Sequence, residues 1–136
     1  MKKHKKVQVV IISDGEVLLL KTNEKRGLFW QNVTGTVEKG EDFLPAALRE
    51  AEEETGLKLK NIDKQILLPK TYYFTDRFER EVEEKCFLLI SKKRWDVKID
   101  PKEHLEYHWK KMKDVTSENY KFPSNFEAFE LAKKAL

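Results

Sequence analysis

The sequence has a single cysteine, Cys86, among 136 residues. An internal disulfide is therefore excluded, which favours a reducing compartment. Long apolar runs are also absent, since the longest ones, at residues 9–12 and 17–20, fall far short of the roughly 20 residues that cross a bilayer. Residues 1–30 contain no apolar run followed by the small-residue cleavage site of a secretory signal. These absences predict a soluble, cytoplasmic protein without a membrane partner.

Internal repeats, low-complexity segments and linkers are missing as well. Hydrophobic residues make up 40% of the chain, which is enough for one buried core at this length. The sequence thus predicts one domain over residues 1–136. It leaves the oligomeric state, monomer or homodimer, open.

Charge is distributed unevenly along the chain. Residues 35–57 contain seven acidic and two basic side chains, and this local balance of −5 within a total of +3 leaves +8 on the remainder. An acidic segment within an otherwise basic chain is typical of a site that binds both cations and phosphates. A solvent-exposed acidic helix gives the same pattern. The lysines at positions 2, 3, 5 and 6 are interpreted as a solubilising tail.

Patterns in the first half of the chain predict a β-hairpin, a loop and then a helix. Two β-branched and aliphatic runs, residues 7–13 and 16–22, flank the hairpin turn signal Asp14-Gly15. Residues 23–27 are typical of a loop, and residues 29–37 fit either a strand or an extended loop. The helix is predicted over residues 42–55, with Asp42 as its N-cap, Pro45 in its first turn and Gly56 just past its end.

The second half predicts three more strands and a terminal helix. The strands are expected at residues 65–75, 81–91 and 106–112, with a charged turn at residues 76–80. The helix is expected at residues 125–136, after Pro123 and a Ser124 cap. This order predicts an α+β fold in which a mixed sheet is sandwiched between helices, an α/β/α arrangement.

Successive side chains in the predicted first helix are separated by 100° around its axis. One narrow stripe then faces the core, and it comprises Leu44, Ala47, Leu48, Ala51 and Thr55. Glu50, Glu53 and Glu54 lie together on the far side, where like charges within about 5–6 Å repel one another. Either a hard cation such as Mg²⁺ or Mn²⁺ offsets this repulsion, or the glutamates form an acidic face in solvent.

The glutamates belong to a longer motif. It runs Gly35-Thr-Val-Glu-Lys-Gly-Glu41, and after seven further residues continues as Arg49-Glu50-Ala51-Glu-Glu53-Glu54-Thr-Gly56-Leu57. This pattern resembles the signature of the Nudix hydrolase family at every defined position, with Ala51 a small occupant of the aliphatic slot. The resemblance spans 23 of the 136 residues and implies the Nudix fold and hydrolysis of a phosphate–phosphate linkage.

Roles for individual residues follow from this resemblance. In the family, the carboxylates matching Glu50, Glu53 and Glu54 and the carbonyl matching Gly35 hold divalent ions, so Mg²⁺, or Mn²⁺, is the implied cofactor. The positions of Glu41 and Arg49 tie loop to helix, and Gly56 permits the chain to reverse. The proton acceptor is implied to be Glu50 or a later carboxylate, Glu103 or Glu84. Glu50, Glu53 and Glu103 are the resulting catalytic candidates.

Two flanking segments narrow the resemblance. Residues 30–38, Trp-Gln-Asn-Val-Thr-Gly-Thr-Val-Glu, and residues 103–109, Glu-His-Leu-Glu-Tyr-His-Trp, are similar to segments of the dihydroneopterin triphosphate pyrophosphatases, a subgroup of the family. There the glutamate matching Glu103 serves the metal site. His104 and His4 are expected to be structural or exposed.

The leading hypothesis is therefore cleavage of a nucleoside or pterin triphosphate to monophosphate and pyrophosphate. Removal of pyrophosphate from a triphosphorylated RNA 5′ end is the alternative that the basic remainder favours, and a non-catalytic nucleotide-binding module is a further one. Aromatic and basic residues are the candidates for stacking and phosphate contact. The predicted substrate-binding set is Lys21, Arg26, Trp30, Lys39 and Arg77.

Overall fold

A computed structural model describes residues 3–136 of the chain. Its main elements are seven strands in one sheet and two α-helices. The strands are β1 (His4–Ser13), β2 (Glu16–Thr22), β3 (Trp30–Gln31), β4 (Val33–Thr36), β5 (Ile62–Thr75), β6 (Glu81–Ser91) and β7 (His104–Lys111). The helices are α1 (Phe43–Thr55) and α2 (Pro123–Lys134).

Strand β1 occupies the middle of the sheet. It pairs antiparallel with β2 at one end and with β4 at the other, and it pairs parallel with β6 along most of its length. β5 and β7 are outer strands, bonded antiparallel to β6 and β2 respectively. The sheet is therefore mixed, as the sequence predicted.

The two helices cover opposite faces of this sheet. On one face, Ala46, Ala47 and Ala51 of α1 join a core with Val7, Val9 and Ile11 of β1. On the other face, Ala128, Phe129 and Ala132 of α2 pack with Val10 and Ile12, the alternate residues of the same strand. Period-two alternation along β1 thus builds both cores. The predicted α/β/α sandwich is confirmed.

Helix α1 lies where the sequence predicted it. Asp42 is the N-cap residue, although its side chain makes no capping hydrogen bond, and Gly56 ends the helix in the left-handed region at φ 78°. The buried face differs from the predicted stripe, because Ala46, Glu50 and Glu54 are buried whereas Leu44 is exposed. The expectation that the glutamates lie on the far side of the helix from the protein is therefore wrong for Glu50 and Glu54.

Four other boundaries differ from the prediction. β1 begins at His4, so Lys5 and Lys6 belong to a strand and are not a tail, while Lys2 lies outside the described residues. β7 begins two residues before the predicted strand, and β5 three residues before. α2 begins at Pro123, with Phe122 in the cap position, so the assignment of Ser124 as the cap is wrong. Proline is favoured at the first helical position because a backbone N–H there would have no partner within the helix.

Within residues 3–136, neither helix combines the length and apolar character that crossing a membrane requires.

Candidate active site

A polar cleft opens where α1 meets the C-terminal end of β4. Its walls come from β1, β4, α1, the turn after β2 and the segment that leads into β7. They comprise Lys6, Arg26, Thr34, Gly35, Thr36, Glu50, Glu53, Glu54, Asp100 and Glu103. Five carboxylates and two cations thus converge from distant parts of the chain.

The three helix glutamates occupy different environments in this cleft. Glu50 and Glu54 are 8% and 3% exposed, whereas Glu53 lies at the open rim. Burial raises the pKa of the Glu50 and Glu54 carboxyl groups because it penalises their charged forms. Two buried carboxyl groups on one helix are costly for a protein that binds no cation there.

Gly35 allows Glu50 to reach the cleft. A Cβ atom at Gly35 would lie 2.1 Å from Cδ of Glu50, inside the space that the carboxyl group fills. The absence of a side chain therefore lets the helix carboxylate lie directly against the backbone of β4. The position demands glycine for reasons of space, since its φ angle is not positive.

Arg49 fixes the loop between β4 and α1. Its Nε and Nη2 donate to the two carboxylate oxygens of Glu41 at 2.9 and 3.0 Å, and Nη2 also donates to the Thr36 carbonyl at 2.8 Å. Nη1 donates to Glu50 at 2.9 Å and to Glu53 at 3.2 Å. The hydrogen bond from Arg49 holds the pKa of Glu41 below its ordinary value. Arg49 thus connects loop, strand and helix, the arrangement implied for the Glu41–Arg49 pair.

Glu103 reaches the cleft from the segment before β7. The neighbouring carboxyl group of Glu54, together with burial, raises the pKa of Glu103 to about 7. Arg26 lies 4.0 Å away from it. The carboxyl group of Glu103 therefore binds a proton more tightly than an ordinary glutamate does.

His104 follows Glu103 and points into the protein. It is 2% exposed, and its Nδ1 lies 2.8 Å from Oε2 of Glu54. Burial lowers the pKa of the imidazole to about 4, so the ring is neutral at physiological pH. Of the two expectations for His104, structural or exposed, the structure excludes exposure.

The donor set suits a hard divalent cation. Carboxylate and carbonyl oxygens are the preferred ligands of Mg²⁺ and Mn²⁺, and Oε2 of Glu54 is buried without a hydrogen-bond partner. In residues 3–136, however, no three acidic, histidine or cysteine side chains are already gathered around one point at ligand distance. Arg49 holds the Glu50 and Glu53 carboxylates instead, so ion binding requires these side chains to turn from it.

A second pocket lies on the α2 face of the sheet. Its lining residues are Leu19, Trp30, His108, Lys110 and Asn119. The rings of Trp30 and His108 meet edge to face with centroids 6.3 Å apart, and the Lys21 Nζ lies 5.9 Å from the Trp30 ring. This pocket is aromatic and only weakly charged, in contrast to the glutamate cleft.

Comparison with known proteins identifies the family. The model of the NUDIX domain matches residues 2–131, nearly the whole chain. The protein belongs to the Nudix hydrolase family.

Individual relatives of this Nudix hydrolase differ in what they act on. The chain is 34% identical to an RNA pyrophosphohydrolase of Pelagibacter ubique (strain HTCC1062), over 79% of this chain and 75% of that protein. The solved dihydroneopterin triphosphate pyrophosphohydrolase of E. coli superposes with a TM-score of 0.78 at 28% identity, covering 95% of this chain and 96% of the other. An Ap4A hydrolase of C. elegans superposes with the same TM-score of 0.78 at 20% identity, covering 97% and 96%. Pyrophosphohydrolase chemistry is supported, and the shared fold leaves the substrate undecided.

The predicted site residues of this Nudix hydrolase fall into three places. Gly35, Glu50, Glu53, Glu54, Glu103 and Arg26 line the glutamate cleft. Trp30 lines the second pocket with Lys21 beside it. Lys39 and Arg77 are exposed and line neither the cleft nor the second pocket. Glu84 is buried under α2 beside Gln8, so it is not placed to act as the proton acceptor.

Sequence reasoning missed other residues of the cleft. Lys6 lines it from β1, opposite Thr36 in the strand register, although the lysine run suggested a tail. Asp100 lines it from an irregular segment. The signal for Lys6 was available, since it directly precedes the β-branched run that predicted β1.

Proposed function

We propose that this Nudix hydrolase is a divalent-metal-dependent enzyme that cleaves a nucleoside or pterin triphosphate into the monophosphate and pyrophosphate. The observation that carries the proposal is the meeting of Glu50, Glu54 and Glu103 in one cleft beside Gly35. Carboxylates that meet in this number repel one another unless a cation binds between them. The same cation would neutralise the charge of a triphosphate.

Each residue of the cleft has a distinct part in this proposal. Glu50, Glu53, Glu54 and the Gly35 carbonyl would hold the metal, with Mg²⁺ favoured and Mn²⁺ as a substitute. The bound ion supplies neutralisation of phosphate charge and a water of lowered pKa. Arg26 and Lys6, the two cations of the lining, contact the phosphates that extend beyond the carboxylates.

Glu103 is the better placed of the two candidates for proton acceptor. Glu50 already accepts a hydrogen bond from Arg49 at 2.9 Å, which opposes the rise in pKa that burial causes and occupies one carboxylate oxygen. Glu103 has a side chain 44% exposed toward solvent and meets its nearest cation, Arg26, only at 4.0 Å. A carboxylate in this position receives the proton of an attacking water and passes it to solvent.

We propose the second pocket as the contact site for the base or pterin ring, which would extend to the α2 face of the sheet from phosphates held in the glutamate cleft. Trp30 offers a ring face for stacking, and Asn119 offers an amide whose orientation is set by its own loop. Oδ1 of Asn119 accepts the Thr116 N–H at 2.8 Å, which leaves the Nδ2 hydrogens to donate. The carbonyl oxygen or a ring nitrogen of a heterocycle could accept this hydrogen bond from Asn119.

Product analysis tests the reaction. With Mg²⁺ and dihydroneopterin triphosphate or a nucleoside triphosphate, we expect pyrophosphate and the monophosphate in equal amounts. Release of inorganic phosphate with a diphosphate product would refute the proposed cleavage.

Glu53→Gln should abolish metal-dependent turnover, because it removes a ligand, while the melting temperature stays unchanged, because Glu53 is exposed. Glu52→Gln is the matched control on the exposed face and should keep full activity.

Kinetics across substrates test the ring pocket. Trp30→Leu should raise KM for the preferred triphosphate by about tenfold through the loss of stacking, while kcat changes little. Trp30→Phe keeps an aromatic face and should restore most of the affinity. An unchanged KM in Trp30→Leu would place the ring elsewhere.

Triphosphorylated RNA is the second candidate substrate, favoured by the 34% identical RNA pyrophosphohydrolase. The turn between β5 and β6 presents Phe78, 62% exposed, with Arg77 and Arg80 over its ring at 4.8 and 5.1 Å. This turn adjoins His4, whose Nε2 lies 3.5 Å from Oγ1 of Thr36 in the cleft. An exposed aromatic ring with cations is a stacking platform for an unpaired base.

Competition between substrates separates the two candidates. A dedicated RNA enzyme should turn over a short 5′-triphosphate RNA at least tenfold faster than the free nucleotide, steeply dependent on salt, and Phe78→Ala should remove that preference. Equal turnover of both substrates, with no effect of Phe78→Ala, would leave the free triphosphate as the substrate.

A further inference from the structure

The loop between β2 and β3, residues 23–28, brings Arg26 to the wall of the glutamate cleft. The backbone N–H groups of Arg26, Gly27 and Leu28 donate to the Asn23 carbonyl at 3.0, 3.1 and 3.2 Å. The Arg26 N–H also donates to Oδ1 of Asn23 at 3.2 Å. The hydrogen bonds within the loop therefore converge on Asn23.

Asn23 also joins this loop to the turn that carries Glu103, residues 100–103. Its backbone N–H donates to the Glu103 carbonyl at 3.0 Å, and its Nδ2 donates to the carbonyl oxygens of Lys102 and Pro101 at 2.9 and 3.3 Å. Among the described residues, the hydrogen bonds between the loop and the turn all come from Asn23. Its side chain thus uses the oxygen within the loop and the amide nitrogen across to the turn.

The turn is the more firmly held of these two segments. The N–H groups of Glu103 and His104 donate to the Asp100 carbonyl at 3.0 and 2.8 Å, and the Lys102 N–H donates to Oδ1 of Asp100 at 3.0 Å. β7 begins at His104, so the sheet continues directly from the turn. Residues 24–28, in contrast, are all exposed. The loop therefore depends on the turn for its place, and the hydrogen bonds of one residue make that attachment.

We propose that Asn23 is a positioning residue for Arg26, and that its amide nitrogen fixes the place of the guanidinium at the cleft wall. The inference rests on the proposed contact between Arg26 and the phosphates. The guanidinium pairs with Glu103 only at 4.0 Å, so the backbone of the loop has to place it. Hydrogen bonds from arginine to phosphate depend on orientation, and a shift of about 1 Å weakens a positioned contact strongly.

Two substitutions separate the amide nitrogen of Asn23 from its oxygen. Serine and aspartate at position 23 keep an oxygen for the Arg26 N–H, as both are favoured cap residues. Neither keeps the amide that donates to Lys102 and Pro101. If Asn23 served only to form its own loop, Asn23→Ser would bind phosphate groups as the parent protein does. Asn23→Ser is the main variant, because aspartate also adds a negative charge near the phosphates.

The decisive measurement is the affinity for inorganic pyrophosphate with Mg²⁺, by calorimetry, in the parent protein, Asn23→Ser, Arg26→Gln and the double variant. We expect each single variant to bind pyrophosphate about tenfold more weakly than the parent. The double variant should bind it no more weakly than Arg26→Gln, because Asn23 acts through Arg26. Parental affinity in Asn23→Ser, or a loss in the double variant equal to the product of the two single losses, would overturn the proposal.

Steady-state kinetics provide a second readout. Asn23→Ser should raise KM for the preferred triphosphate about tenfold while kcat changes little, because Glu103 is held by its own turn. A fall in kcat with an unchanged KM would contradict a role through Arg26. Asn23→Asp is the second variant, and its effect on KM should likewise be less than multiplicative with that of Arg26→Gln.

Stability and phosphate binding are controlled separately. Asn23→Ser should keep a melting temperature close to that of the parent, since the cap oxygen is retained. Val10→Ala, in the core under α2, should lower the melting temperature and leave pyrophosphate affinity unchanged. If the parent failed to bind pyrophosphate, or Arg26→Gln bound it as the parent does, the proposed phosphate contact itself would be refuted, and the inference with it. Failure of the proposed function is thus distinguishable from failure of Asn23 alone.

Discussion

Single atoms decide the shape of the cleft at Gly35. An added Cβ there would lie 2.1 Å from Cδ of Glu50, so Gly35→Ala must displace the carboxylate. We expect kcat to fall by about 100-fold, since a displacement of about 1 Å in a catalytic site has this effect. The measurement is steady-state hydrolysis with Mg²⁺, alongside circular dichroism to monitor the fold.

Gly15→Ala provides the control for this substitution. Gly15 lies in the β1–β2 turn at φ 76°, and an added Cβ there meets no atom within 4 Å. Alanine should cost about 1 kcal/mol of stability through backbone strain. Activity should be unchanged. If Gly35→Ala retained parental kcat, the close approach of Glu50 to β4 would be irrelevant to catalysis.

Glu84 is a buried carboxyl group outside the cleft. It is 6% exposed and accepts one hydrogen bond, from Gln8 at 3.1 Å, and burial raises its pKa despite the nearby Lys6. Tyr72 and Cys86 are the other titratable groups that face it. The folded protein therefore binds this proton more tightly than the unfolded chain, so the contribution of Glu84 to stability declines as pH rises from the ordinary carboxyl pKa through the raised one.

Glu84→Gln removes this pH dependence while keeping an acceptor for Gln8. We expect the variant to be more stable than the parent at pH 7, by about 1 kcal/mol, because no charge has to be buried. The difference should vanish near pH 4, where Glu84 is protonated in both states. Urea denaturation at the two pH values measures it, and a variant less stable at pH 7 would show that the buried charge is stabilising.

At the scale of elements, one side chain joins β4, the following loop and α1. Arg49 donates five hydrogen bonds, to Glu41 twice, to Glu50, to Glu53 and to the Thr36 carbonyl. Lysine cannot reproduce this planar arrangement. We expect Arg49→Lys to lower the free energy of unfolding by about 2 kcal/mol, because a partly buried charged network loses most of its hydrogen bonds.

Thermal or urea denaturation checks this value against a matched arginine. Arg80 forms an exposed pair with Asp76 at 2.8 Å, so Arg80→Lys should change stability by less than about 0.5 kcal/mol. Similar losses in both variants would mean that the contacts of Arg49 contribute no more than a surface ion pair.

Local patterns predicted most elements because each carries its own signal. Alternating apolar runs around Asp14-Gly15 predicted the β1–β2 hairpin, and Gly56 marked the end of α1. Residues 29–37 stayed ambiguous, because they form two short strands that pair with different neighbours: β3 with β2, and β4 with β1. Such pairing is non-local, so no window of sequence contains it.

At the scale of the molecule, the cleft brings together like charges that the fold must accommodate. Glu50, Glu54 and Glu103 approach one another, and the protein's own cations beside them are Arg49, 2.9 Å from Glu50, and Arg26, 4.0 Å from Glu103. A ligand that binds only the folded state stabilises it by about 2.7 kcal/mol at 100 times its dissociation constant. We therefore expect saturating Mg²⁺ to raise the melting temperature by several degrees.

Differential scanning fluorimetry with and without a chelator measures this shift. Glu53→Gln should reduce it strongly, because this variant lacks a ligand but keeps the fold. Glu52→Gln should show the parental shift. A parent protein whose melting temperature does not change on addition of Mg²⁺ would contradict the proposed metal site.

From the sequence alone, the resemblance to the Nudix family implied the reaction class, and local patterns predicted the elements outside residues 29–37. Its motif places Gly35, Arg49 and the three glutamates at fixed spacings, and helical periodicity puts those glutamates on a common side of α1. The spacings and the helical periodicity need only local geometry, so they hold before any tertiary contact is known.

Only the tertiary structure decided which side chains share a site. Adjacent residues of a strand point to opposite faces of the sheet, so Gln31 contacts His104 while Trp30 lines the pocket under α2. Strand register likewise brings Lys6 beside Thr36 and places Glu84 away from the cleft. Burial of Glu50 and Glu54 has the same origin, because the partners that cover them come from β4 and β7, outside the helix.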